Sequence, residues 1–195
     1  RLANLGYFGH MWELYAMWAH IPVFLAAVYG TKSLIGNTLD LASFITFLVF
    51  LAGAVGSVAS GYGAERYGRT ATTSLAMIIS GGSALFIGFL PVDWQVVILI
   101  VAFVWGASVV ADSAQFSTAL SELCEEAYRG TILTFQTGLG FLITIVPIWL
   151  VPVVADLAGW GVAFAILAIG PALGTVAMLR LRAMPEAAAL ALGRR

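Results

Sequence analysis

Charge is scarce in this sequence: only 10% of its 195 residues are Asp, Glu, Lys or Arg, and 61% are hydrophobic, for a mean hydropathy of +0.98. Soluble domains carry about 25% charged residues, so water is excluded as the main solvent of this chain. Cysteine occurs once, at Cys124, which rules out a disulfide framework and any multi-cysteine metal site. Glu122, Glu125 and Glu126 beside it disfavour a reactive thiolate. Metal, nucleotide and nucleic-acid signatures are missing as well, so the sequence implies no metal, no cofactor and no nucleic-acid partner.

Long apolar runs are what the chain does have. They lie at about 2–29, 41–63, 71–90, 95–120, 130–154 and 159–181, and each exceeds or approaches the roughly 20 residues a helix needs to cross a bilayer. Open strands would leave unsatisfied edges in lipid, so the expected fold class is an all-α membrane protein. Residues 1–181 form one domain of six transmembrane helices, and 182–195 form a cytoplasmic tail. Turn residues and charges mark the breaks at Gly30–Asp40, Gly61–Thr70, Pro91–Trp94, Ser121–Arg129 and Ala155–Gly159.

The basic residues orient these crossings. If the chain enters from the cytoplasm, Arg1, Arg66, Arg69, Arg129, Arg180, Arg182, Arg194 and Arg195 all fall inside and only Lys32 falls outside. Adding or removing one crossing would send about half of these arginines to the opposite face, against the positive-inside rule. A multi-pass protein of the cell membrane with both ends cytoplasmic is the expectation. The first residue is not Met, and His10, Glu13 and His20 interrupt the first run. A cleavable signal would not tolerate them, so the chain reads as a piece of a longer protein.

Between the second and third runs lies Gly61-Tyr62-Gly63-Ala64-Glu65-Arg66-Tyr67-Gly68-Arg69-Thr70. This resembles the G-x-x-x-D-R-x-G-R-R loop of the major facilitator superfamily: Gly61, Arg66, Gly68 and Arg69 match, Glu65 replaces the aspartate, and Thr70 replaces the last basic residue. Glycines allow a tight reversal there, and an acid near a helix end can pair with an arginine to latch an inner gate. Ser121–Thr131, with Glu125, Glu126 and Arg129 before Gly130, is similar to the acidic linker preceding the fifth helix of a facilitator half. The resemblance implies helices seven to twelve of a twelve-helix transporter. It further implies two inverted three-helix repeats and a missing amino-terminal half as partner.

Ionisable groups inside the runs are expensive and therefore functional candidates. His10, Glu13 and His20 lie in the first run and Asp112 in the fourth. At 100° per residue, Gly6, His10, Glu13, Met17, His20 and Phe24 share one stripe of the first helix. Trp105, Ser108, Asp112, Gln115 and Ala119 share one face of the fourth. Counted from the cytoplasmic ends, Glu13 is roughly 16 Å deep and Asp112 roughly 12 Å, so both carboxylates can share a cavity. The resemblance implies that the first and fourth helices line that cavity, while the third and sixth face lipid. Glu13 with His10 is the candidate proton-coupling pair. Met17, Trp105, Ser108, Asp112, Gln115 and Thr137 join them around a small-molecule substrate. Thr134, Thr137 and Thr144 form a stripe on the fifth helix.

The expected function is secondary active transport of a small solute by alternating access, as a proton-coupled symporter or antiporter. Two other readings use the same residues. A homo-oligomeric channel would line its pore with the polar stripes. An intramembrane serine protease would use Ser108 in Gly106-Ala107-Ser108-Val109, with a histidine base supplied from the first helix.

Overall fold

Within hydrocarbon every backbone N–H and C=O must find its partner inside the protein, and the apolar runs meet that demand as helices. A computed structural model describes residues 1–30, 33–35 and 39–194; Lys32 and Arg195, which the sequence places on opposite sides, lie outside the described residues. The elements are α1 (Leu2–Tyr29), β1 (Ser33–Ile35), β2 (Leu39–Asp40), α2 (Leu41–Tyr67), α3 (Arg69–Ile87), α4 (Gln95–Ala111), α5 (Ser113–Leu123), α6 (Arg129–Ala165) and α7 (Ile169–Ala183). A 3-10 turn at Ile166–Ala168 joins the last two, and a 3-10-like segment, Pro185–Gly193, follows. β1 and β2 form a short antiparallel pair in the first loop. Asp40 then caps α2 by accepting from Ser43 N at 2.6 Å.

Several boundaries differ from the sequence expectation for physical reasons. Gly61 and Gly63 are helical, because α2 runs to Tyr67. The reversal into α3 rests on Gly68 alone, at φ 95°, where a side chain would be strained. The fourth run is not one helix but two, since the backbone breaks at Asp112 between α4 and α5. Conversely, helix continues through residues 155–158, expected as a loop, and the break falls on Gly159, at φ 82° and ψ 168°. The apolar stretch Glu126–Ala183 spans 58 residues. Unbroken, it would be roughly 87 Å long, nearly three times the hydrocarbon thickness, so Gly159 divides it into the fifth and sixth crossings.

Helix packing carries the repeat. The main pairs are α2 with α4, α1 with α7, α1 with α6, α3 with α7 and α3 with α4. Exchanging the first crossing with the fourth, the second with the fifth and the third with the sixth maps this set onto itself. Three crossings per repeat place the second repeat upside down relative to the first. The core sits around α1, with Met17, Ile21, Leu25, Trp105 and Phe164 fully buried, while Val55, Val58, Phe86, Trp149 and Leu173 point outward.

Glycines set how closely these helices approach. A Cβ on Gly56 would collide with the Ala107 backbone, and one on Gly9 with the Gly170 backbone, so α2 meets α4 and α1 meets α7 almost backbone to backbone. Gly61 faces open space. Gly56→Leu is expected to destabilise the fold by about 1–3 kcal/mol through overpacking, whereas Gly61→Ala is expected to stabilise it by up to about 1 kcal/mol. Reversible unfolding in mixed micelles measures both.

Candidate functional site

Glu13, one turn beyond His10 on α1, is enclosed by the bundle with 1% of its surface exposed. Both its oxygens are used. Trp105 Nε1 on α4 donates to Oε1 at 2.8 Å, and Ser80 Oγ on α3 donates to Oε2 at 2.8 Å. Neither donor is charged. Three helices therefore converge on one carboxylate, which meets the requirement that buried polar groups be hydrogen-bonded.

His10 does not pair with Glu13, contrary to the expectation from their spacing. Its Nδ1 lies 2.8 Å from Asp112 Oδ1, with both residues at most 2% exposed. Two positions three residues apart on one helix diverge by 60°, enough for His10 to meet the fourth crossing on one side while Glu13 meets Trp105 and Ser80 on the other. The approach has ion-pair separation without hydrogen-bond direction, because Asp112 Oδ1 has no hydrogen-bond partner among the described residues; His10 Nε2, on the other side of the ring, has none among them either. Tyr7 and Phe116 pack against the imidazole at centroid distances of 6.1 and 5.7 Å.

Asp112 occupies the break between α4 and α5, where backbone carbonyls lose their helical donors. A hydroxyl of α2 compensates: Ser60 Oγ donates to the Ala111 carbonyl, while Ser57 Oγ bonds its own helix at Gly53 O, 3.0 Å, and only approaches Val110 O at 3.5 Å. A similar compensation explains His20. Pro152 has no N–H for the Ile148 carbonyl, and His20 Nε2 takes that place at 2.9 Å.

One turn beyond Asp112, α5 enters a second polar network. Gln115 Oε1 accepts from Arg69 NH1 at 2.8 Å, and Gln115 Nε2 reaches Ser60 Oγ at 3.5 Å. Arg69 also forms a two-pronged bridge to Glu122, at 2.7 Å from Nε and 2.6 Å from NH2. The acid that meets the loop arginine is thus Glu122, and not Glu65 in its own loop. The Glu65 carbonyl accepts from Arg194, and Arg66 lies over the Tyr67 ring at 5.5 Å. Ala191 N donates to Glu122 Oε2 at 3.1 Å, so the final segment closes the network. Glu125, Glu126 and Arg129 are exposed.

The remaining predicted residues separate by burial. Met17, Trp105 and Gln115 face the interior of this bundle and line no open cleft. Ser108 donates to its own helix at Val104 O, 2.7 Å, and does not touch Asp112. Thr137 is exposed and interacts with the Tyr7 hydroxyl, while Thr144 bonds back to Phe141 O at 2.7 Å. Sequence reasoning missed Ser80, Glu122 as the partner of Arg69, and Gln136. The last is fully buried and donates to Asn4 Oδ1 at 3.0 Å. An uncharged serine on a run assigned to lipid gave no signal. A glutamine nearly two turns into an apolar run, by contrast, was visible.

Breaking the His10–Asp112 contact from one side strands a buried group. Asp112→Leu alone is expected to cost about 3–5 kcal/mol, and His10→Phe combined with Asp112→Leu to recover most of it. A double-mutant cycle on unfolding in mixed micelles reads the coupling.

No family model and no curated protein matches the sequence. The structure does match solved ones. The proton:xylose symporter XylE of the major facilitator superfamily, bound to 6-bromo-6-deoxy-D-glucose, superposes with a TM-score of 0.75 at 16% identity. The xylose transporter XylE from E. coli matches in its inward-open form at 0.75 and 18% identity, and in its partially occluded inward-open form at 0.70 and 16%. Each match covers 94% of this chain but only 43–47% of the solved one, so the chain spans less than half the length of these structures. Six crossings, the exchange-symmetric packing and these superpositions together identify its fold as that of one half of a major facilitator superfamily transporter.

Proposed function

We propose that this chain is one half of an alternating-access carrier that moves a small solute across a cell membrane together with protons. The solute is held near the midplane between this half and a second six-helix half upstream. The observation that carries the reading is Glu13, enclosed at mid-depth with its two oxygens on neutral donors, Trp105 and Ser80. A carboxylate locked to an arginine must break an ion pair to change charge. One held by an indole and a hydroxyl can take up or release a proton with its anchors in place.

His10 and Asp112 extend this proton-handling cluster, with Met17, Trp105, Ser108 and Gln115 around it. The enclosure of the cluster implies that water reaches it only in another conformation, and the break at Asp112 is the element suited to bending. Thr137, exposed on α6, is assigned to the face that meets the absent half. The end of α2 with Gly61, Glu65 and Arg66, the turn at Gly68, and Arg69 at the start of α3 form the inner gate, with Glu122 as its latch and Glu125, Glu126 and Arg129 in the facing linker. The distribution of arginines supports cytoplasmic placement of both ends and of the tail 182–195.

The other two readings are less well supported. A serine protease needs a serine–histidine contact, but Ser108 donates to Val104 O, His10 engages Asp112, and His20 bonds Ile148 O. A symmetric channel needs its ionisable groups on an outer face, and His10, Glu13 and Asp112 are interior.

The test uses the parent protein with both halves, reconstituted in liposomes under an imposed pH gradient. Concentrative solute uptake is expected, with Glu13→Gln lowering gradient-driven uptake more than tenfold while the protein still elutes as a folded species. Uptake by the variant with an unchanged dependence on the gradient would refute the proton-coupling role. Uptake that only equilibrates the solute would favour a channel.

A further inference from the structure

The basic end carries a groove that the transport reading does not use. It runs between α1 and α7, with Ile143 of α6 at one side, and encloses about 430 Å³. Its floor is Gly9 and Gly170, where the two backbones touch and side chains are lacking. Leu5 and Leu173 form exposed apolar walls, Trp12 lies at the inner end, and Arg180 lies at the outer end. Along α7 the groove spans Ile169 to Arg180, roughly 16 Å at the helical rise, which is about half the hydrocarbon layer and so about one leaflet.

Besides Arg180, Arg1 and Arg129 are exposed without an ion pair among the described residues but do not line the groove; the other described arginines are engaged. Arg69 is bridged to Glu122, Arg182 donates to Thr70 Oγ1, Arg194 donates to the Glu65 carbonyl, and Arg66 stacks on Tyr67. Arg180 is exposed and has no ion pair among the described residues. A cation without a partner at the headgroup end of a leaflet-long apolar slot is complementary to one kind of molecule.

We propose that the α1–α7 groove is a binding site for an anionic phospholipid. One acyl chain lies over Gly9 and Gly170, and the headgroup phosphate meets the Arg180 guanidinium. This site is independent of what the protein carries.

Native mass spectrometry of the parent protein, with both halves, taken from mixed phosphatidylglycerol and phosphatidylcholine vesicles tests the headgroup contact. A phosphatidylglycerol with a photoactivatable acyl chain tests the groove. The expected result is retained phosphatidylglycerol in preference to phosphatidylcholine, with occupancy about fivefold lower in Arg180→Gln. Acyl labels are expected on residues 2–12 and 169–177. Arg180→Gln breaks no ion pair among the described residues, so the variant is expected to stay folded, which its elution in detergent checks. Equal retention of the two lipids, occupancy insensitive to Arg180→Gln, labels confined to other helices, or cross-links showing a second protein copy in the groove would each overturn the proposal.

Discussion

A carboxylate placed inside hydrocarbon must be given hydrogen bonds by its own protein, and Glu13 receives two, from Trp105 and Ser80. Much of the architecture follows from bringing those donors to it. Trp105 sits on α4 beside Gly106, whose missing side chain lets α2 press against the same turn at Val49. Ser80 sits on α3 beside Gly81, which packs on Pro171 of α7. Close approach at small residues is thus the means by which α1, α3 and α4 reach one another around a polar atom. Aromatic packing of Trp105 on Phe164, at 5.2 Å between centroids, fixes the indole that donates to the carboxylate.

The second organising feature is the interruption at Asp112. A helix break within a bilayer is tolerated only when its freed carbonyls are satisfied, and Ser60 of α2 does this for Ala111. Ser60 also reaches Gln115, which accepts from Arg69, and Arg69 is bridged to Glu122. The buried His10–Asp112 contact and the gate-like network at the basic end are therefore joined through α5, an eleven-residue rod that starts at one and ends at the other. A change at the break has a short mechanical path to the latch.

Composition, run length and the placement of arginines are properties of single segments, and they made the membrane fold and its six crossings legible in the sequence. The Gly68–Arg69 turn was legible for the same reason. Partner choice was not. Stripe geometry put His10 and Glu13 on one face, but which neighbour each meets depends on how α3, α4 and α5 approach α1, and no local pattern encodes that. The break at Asp112 carries neither glycine nor proline, and Gly61 and Gly63 were misleading in the other direction, since both lie inside α2, where an isolated glycine costs only about 1 kcal/mol. Glu65 was the acid nearest Arg69 in sequence, yet Glu122 is the one in contact, because the turn aims the guanidinium at α5.

The central claim is that Glu13 changes protonation while remaining inside the bundle. Infrared difference spectroscopy of the parent protein during a pH jump tests it directly. The account predicts a pH-dependent carboxyl band that is missing in Glu13→Gln and altered in frequency by Ser80→Ala, which removes one of its two donors. A difference spectrum that Glu13→Gln leaves unchanged would contradict it.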